Sequence, residues 1–171
     1  MKPNTARRIR AAGLAAGVLM LAGGCAGYQL GPTGLYRADI RTVYVPMFES
    51  DQLRQGLAEW LTEAVAKQIE MQTPYKVVHT PGADSVLTGR ILSAQKQVLI
   101  ESANDDARDI GYSQVVLVTW SARNGELLMQ RRIKVGAHFL PESGQSLTTA
   151  QQQVVEDLAN QIVNAMEAAN W

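Results

Sequence analysis

The sequence predicts an α/β fold of the α+β sandwich type, a mixed four- to five-stranded sheet with two helices packed on one face. Three observations predict it. Two segments repeat apolar residues at three- and four-residue steps, the spacing of a helix that buries one stripe. Three long segments rich in β-branched residues follow one another with turn signals between them, the order of an antiparallel meander. Ahead of these, a strand, a helix and a second strand favour a parallel pair with a right-handed crossover. Each amphipathic helix needs an apolar surface to cover, and one sheet face supplies it for both, leaving the other face free.

The chain opens with Lys2, Arg7, Arg8 and Arg10 and no acid among them, followed by an apolar stretch from Ala11 to Ala22. Residues 1–24 therefore read as a secretory signal peptide, too short to span a bilayer, which takes about 20 apolar residues. The stretch ends Leu21-Ala22-Gly23-Gly24-Cys25, and Cys25 is the only cysteine in the chain. A small-residue cleavage site ending in cysteine resembles the lipobox of bacterial lipoproteins, in which the thiol receives a diacylglyceryl group and a palmitate-type chain completes the anchor. Several acyl chains, at about 0.8 kcal/mol per buried methylene, anchor durably. Ala22 stands where that pattern usually has leucine. A plain signal peptide with a free thiol is the alternative reading of Cys25, and Arg7-Arg8 could signal twin-arginine export but lacks the flanking residues.

Removal of residues 1–24 leaves 147 residues, enough for one domain with a core. Four of the sixteen basic residues leave with the signal, so 12 remain against 16 acids and the net charge is −4. That balance argues against nucleic acid, whose phosphates need a basic surface. With no further cysteine, stability outside the cytoplasm must come from packing.

Residues 25–38 read as the lipidated N-terminus and a tether, through Gly27, Gly31, Pro32 and Gly34. Residues 39–171 form the domain. Ile40 to Pro46 is a strand rich in β-branched and aromatic residues. In the helix that follows, Leu53, Leu57, Trp60, Leu61, Ala64, Val65 and Ile69 form the apolar stripe; Ser50 or Asp51 caps its start and Thr73-Pro74 ends it. Tyr75 to His79 is a short strand. Val86 to Ile100, Tyr112 to Ser121 and Glu126 to Phe139 make the meander, jointed at Asn104-Asp105-Asp106 and at Asn124-Gly125, the latter a signal for a type I′ turn. A helix from Thr148 to about Ala169 carries Val154, Leu158, Ile162, Ala165, Met166 and Ala169 inward, with Thr148 and Gln151 at capping-box spacing.

No converging catalytic groups are apparent. His79 and His138 lack metal-site spacing. Asp105, Asp106 and Asp109 lack the ordered ligands and glycine of a calcium loop and read as turn residues. Glu63 and Lys67 form an i,i+4 pair on the polar side of the first helix. No catalytic residue, metal site or cofactor is therefore assigned. Alternation in the last strand puts Leu127, Met129, Arg131, Ile133 and Val135 on the core face, so Arg132 and Lys134 point away from the helices. Thr88, Arg90, Ala94 and Lys96 read as the same outer side. Arg90, Lys96, Arg132 and Lys134 are thus the candidate contacts for the phosphates of an anionic lipid.

Several stretches occur in an order that resembles the LptE family, outer-membrane lipoproteins of lipopolysaccharide assembly. They are Gly27-Tyr28-Gln29-Leu30, Thr42-Val43-Tyr44-Val45-Pro46-Met47-Phe48-Glu49, Arg54-Gln55-Gly56-Leu57 with Leu61-Thr62-Glu63-Ala64, Thr73-Pro74-Tyr75-Lys76-Val77, and Ala83-Asp84-Ser85-Val86-Leu87-Thr88-Gly89. The resemblance implies a non-enzymatic, lipid-anchored protein of the outer membrane, on its periplasmic side. It implies an LptD-like outer-membrane β-barrel as partner, with the domain as a plug in its lumen, and a role in transport of lipopolysaccharide to the outer leaflet. Ala26 after the cysteine fits outer-membrane sorting. Around Glu101 and Ser146 no arginine or lysine matches the basic lipid contacts of enteric members. The competing expectation is a periplasmic lipid-anchored binding module for envelope glycans or peptides, with Trp60 and Trp120 as sugar platforms.

Overall fold

The computed structural model describes residues 35–52, 56–101 and 107–167. Cys25, the expected signal segment, most of the expected tether, Leu53, Asn104, Asp105, Asp106 and Ala169 lie outside the described residues. In chain order the elements are β1 (Thr42–Tyr44), β2 (Glu49–Ser50), α1 (Leu57–Gln72), β3 (Lys76–Val78), β4 (Ser85–Glu101), β5 (Ala107–Ala122), β6 (Leu127–Phe139), a short 3-10 turn (Pro141–Ser143) and α2 (Leu147–Asn164).

They form one mixed sheet in the order β3-β1-β4-β5-β6, with β2 also paired to β4. β1 runs parallel to β3 and to β4, and β2 parallel to β4, whereas β4, β5 and β6 form the antiparallel meander. The two-residue β2 makes six strands in place of four to five. The α+β class and the two-helix layer are as the sequence predicts.

The core lies between that layer and one sheet face. Leu57, Leu61, Val65 and Ile69 recur every fourth residue and are buried, so one ridge of α1 meets the sheet. Val154, Leu158 and Ile162 do the same for α2. From the sheet come Val43, Leu87, Ile91, Tyr112, Val116, Val118, Trp120 and Val135. An aromatic row closes one end: Tyr36 packs edge-on to Tyr75 at 5.6 Å between ring centroids, and Tyr75 lies 5.7 Å from Trp120. Tyr36 is buried in this row, so the packed domain begins before residue 39 and takes in the end of the expected tether.

Both helix starts differ from expectation. Ser50 lies in β2, and Asp51 donates its backbone N–H to the Ile91 carbonyl at 3.1 Å, so neither caps α1. Gly56 occupies the N-cap at φ 89, a left-handed conformation open to glycine, with no side-chain cap. The cap of α2 is Ser146, whose Oγ accepts from the Thr149 N–H at 3.2 Å, two residues ahead of the expected Thr148 box. Thr73 ends α1 as expected, its N–H and hydroxyl both donating to the Ile69 carbonyl before Pro74.

The Asn124-Gly125 turn joins β5 to β6, but not as a two-residue loop. Gly125 N–H donates to the Ala122 carbonyl and Ala122 N–H to the Glu126 carbonyl, each at 2.9 Å, with Gly125 at φ 85. That is a three-residue loop with glycine in the left-handed position. Asp109, read as a loop residue, is inside β5.

Irregularities in strand register change which side chains share a face, two of them near the candidate cations and the end of β5. Ile91 pairs with Val116 and Ser93 with Val115, leaving Leu92 as an extra residue in β4. Trp120 pairs with Met129 and Ser121 with Leu127, leaving Leu128 extra in β6. Consequently Leu128 is buried and Leu127 is exposed, the reverse of strict alternation.

Candidate functional site

Among the described residues, no helix covers the outer face of β4, β5 and β6. It is built from Thr88 and Arg90 of β4, Val115, Leu117 and Thr119 of β5, and Gln130, Arg132 and Lys134 of β6. Arg90 pairs with Leu117, which pairs in turn with Arg132, so the two arginines flank one leucine in a single cross-strand row. Lys134 lies two residues further along β6, opposite Val115.

The four cations predicted for this face do not act as one cluster. Before the Leu92 bulge, even-numbered residues of β4 point outward, and Arg90 does so. Beyond it the parity reverses: Lys96 pairs with Tyr112 and Ala94 with Gln114, both core-face residues of β5. Lys96 and Ala94 therefore lie on the helix-side face, and Lys96 is separated from the other three cations by the sheet. The bulge has its own support, since Gln52 Nε2 donates to the Leu92 carbonyl at 3.3 Å.

Arg90 is already neutralised. Its Nε donates to Asp51 Oδ1 at 2.9 Å and lies 3.7 Å from a carboxylate oxygen of Glu49. Both acids come from the β2 segment, which the parallel pairing of β2 to β4 brings alongside. Arg90 also borders a shallow cavity of about 300 Å³ with Pro46, Met47 and Leu117. Arg132 and Lys134 are exposed and make no ion pair among the described residues, so they are the available cations of the predicted set. Further along the same face His138 stands opposite Gly111, with its Nδ1 3.5 Å from Asp109 Oδ1.

A second concave surface lies between the helices on the side away from the sheet. This groove has a volume of about 560 Å³. Trp60, Glu63, Ala64, Lys67 and Met71 line it from α1, and Gln152, Val155, Glu156, Ala159 and Asn160 from α2. Gln68 and Gln72 both donate their side-chain amides to Asn160 Oδ1, linking the helices there. Trp60, expected in the core stripe, is 45% exposed, because it sits beside the buried every-fourth-residue ridge rather than on it. Trp120 is fully buried beside Tyr75, so it cannot serve as a sugar platform.

The sequence reading missed this groove. A signal for it exists in the spacing of Trp60, Glu63, Ala64 and Lys67 at i, i+3, i+4 and i+7, one helix face mixing an aromatic with charges. Among the described residues no group of three or more metal-ligating side chains converges, and no helix is long and apolar enough to cross a membrane.

Residues 40–166 match the family described as LptE, Lipopolysaccharide-assembly. No curated protein matches the sequence. Among solved structures the fold is similar to that of uncharacterized lipoprotein B from Nitrosomonas europaea, at 16% identity and TM-score 0.53, covering 76% of this chain and 84% of that one. It is similar to protein XCC0632 from Xanthomonas campestris, at 9% identity and TM-score 0.55, covering 78% and 87%. It is similar also to the PelC dodecamer from Paraburkholderia phytofirmans, at 10% identity and TM-score 0.52, covering 78% and 93%. At such identities the likeness is one of fold.

Proposed function

The chain belongs to the LptE family of lipopolysaccharide assembly, and from that membership we propose that it is an outer-membrane lipoprotein, anchored through Cys25 on the periplasmic side. We propose further that it works with an LptD-like β-barrel in moving lipopolysaccharide to the outer leaflet. The observation that carries this reading is the family match over residues 40–166, nearly the whole domain.

The architecture is compatible with a plug. A domain of this length has a radius of gyration of roughly 15 Å, so only a barrel of about 22 strands or more has a lumen wide enough to hold it. The walls of such a lumen are polar. A sheet face of threonine, glutamine, arginine and lysine suits contact with such a wall, while the helices keep the other face dry. In this role the protein performs no chemistry. Its contribution is to hold the barrel and its cargo in register, with Arg132 and Lys134 as the contacts for an anionic lipid, while Arg90 is held by Asp51 and Glu49.

Affinity purification from detergent-solubilised envelopes tests the partnership: a large β-barrel should co-purify, and recovery of unrelated periplasmic proteins alone would overturn it. Depletion should lower lipopolysaccharide at the cell surface. Cys25→Ser should abolish incorporation of labelled palmitate, and persistence of label would remove the anchor from the proposal.

A further inference from the structure

The helical layer carries an excess of acidic over basic side chains. Along α1 and α2 stand Glu59, Glu63, Glu70, Glu156 and Asp157 against a single base, Lys67. The groove between the helices runs through this acidic surface, and two large apolar side chains stand open in it, Trp60 at 45% and Met71 at 67% exposure. Its floor is small and apolar, made by Ala64, Val155 and Ala159, so a partner backbone can approach closely.

The length of the groove and the free state of its carboxylates narrow the occupant. From Trp60 to Met71 the helix rises about 16 Å, or three turns, the span of a short helical segment. Among the described residues Glu63 and Lys67 have i,i+4 spacing but form no ion pair, and the Glu156 carboxylate accepts from Gln152 of its own helix, at 3.2 Å. An open apolar trough edged by carboxylates is complementary to a helix whose apolar stripe is flanked by cations. An anionic ligand or an acidic helix would meet like charge.

We propose that the α1–α2 groove docks a basic amphipathic helix of a protein partner, its apolar stripe on Trp60, Val155 and Met71 and its lysines or arginines on Glu63 and Glu156. The site is on the opposite side of the molecule from the outer sheet face and does not depend on the barrel partnership. Because the carboxylates are solvent-exposed, their attraction fades as salt rises past the physiological range.

The test uses the full chain in a zwitterionic detergent with a synthetic 14-residue amphipathic helix of leucine and lysine as probe. A zero-length carbodiimide joins peptide lysines to nearby carboxylates, and mass spectrometry maps the joints. Joints should concentrate at Glu63 and Glu156. Trp60→Ala, or Glu63→Gln with Glu156→Gln, should weaken binding of the labelled peptide roughly tenfold with thermal unfolding unchanged, and a leucine and glutamate helix should not bind. Joints spread over carboxylates outside the groove, such as Glu126 and Glu142, would overturn the proposal, as would unchanged affinity in both variants. Saturable binding of maltoheptaose at Trp60 without binding of the cationic helix would overturn it in favour of a glycan site.

Discussion

Thr42 and Asp84 hold each other through reciprocal hydrogen bonds across β1 and the start of β4. Asp84 Oδ2 accepts from the Thr42 backbone N–H at 3.0 Å and from its hydroxyl at 2.9 Å, and the same hydroxyl accepts from the Asp84 N–H at 2.9 Å. The carboxylate also accepts from the Arg41 N–H at 3.1 Å, while the Asp84 carbonyl accepts from Arg123 N–H at 2.8 Å. One acid therefore ties the parallel part of the sheet to the β5–β6 turn.

These donors, the Arg41 N–H first and then the Thr42 hydroxyl and N–H, hold the Asp84 carboxyl below the usual carboxylate range. A group whose pKa is depressed by folding contributes stability above its unfolded pKa, near 3.8, and loses it as pH falls through the folded value. Thermal unfolding should show the wild-type chain losing stability below that pH. Asp84→Asn should be less stable at pH 7 and show a flatter acid limb; parallel acid limbs for the two proteins would contradict the assignment.

Gln114 is fully buried on the core face of β5, and neither its Nε2 nor its Oε1 has a hydrogen-bond partner among the described residues. A buried amide without partners costs free energy that an apolar side chain of similar size avoids. Gln114→Met should therefore stabilise by about 1 kcal/mol, read as a rise in melting temperature of a few degrees. A fall of that size would show that the amide is satisfied within the fold.

Gly89 of β4 lies directly beneath the ring of Phe48, and a Cβ built there would collide with the ring carbons. Phe48 is itself buried, so the ring has little room to yield. Gly89→Ala should cost roughly 1–3 kcal/mol, as overpacking does, and Phe48→Leu in the same chain should recover part of the loss. Chemical denaturation of the single and double variants measures both. Additive effects would show that the two residues do not touch.

The Leu92 bulge makes a separate prediction about cations. Arg132 and Lys134 share the outer sheet face and Lys96 does not, so Arg132→Glu with Lys134→Glu should reduce binding to vesicles containing lipopolysaccharide by tenfold or more. Lys96→Glu should leave it within about twofold, because a charge on the far side of the sheet is beyond the ~8 Å screening length at physiological salt. Equal losses in both variants would mean that the outer face is not the contact.

Much of the architecture is legible in local pattern. The two helices follow from apolar residues spaced along Leu57 to Ile69 and Val154 to Ile162, and the meander from alternation within β4, β5 and β6. Their order in the chain already favours a parallel pair near the N-terminus. The candidate cations are less legible, since alternation read from one strand end assumes that no residue is inserted. A single extra residue, Leu92, inverts the stretch from Ser93 to Val98, so Lys96 changes face although nothing in its neighbourhood announces this. Trp60 escapes the same kind of reading: seven apolar residues at helical steps describe a broad stripe, but only the ridge that meets the sheet is buried, and α2 leaves the flank beside it open.

From the sequence by itself came the element types, the helix-on-sheet layering, the charge balance, the expectation of an export signal ending at Cys25 and the resemblance to the LptE family, because each rests on composition or on contacts close in the chain. Tertiary structure decided the rest. Pairing of β2 with β4 drew Ser50 and Asp51 away from the cap of α1 and set Asp51 on Arg90. Strand register determined which cations share a face, and the approach of α2 to α1 opened the groove at Trp60. Each of these depends on partners 30 or more residues away in sequence or on a one-residue slip in pairing, and such relations are settled only when the strands and helices meet.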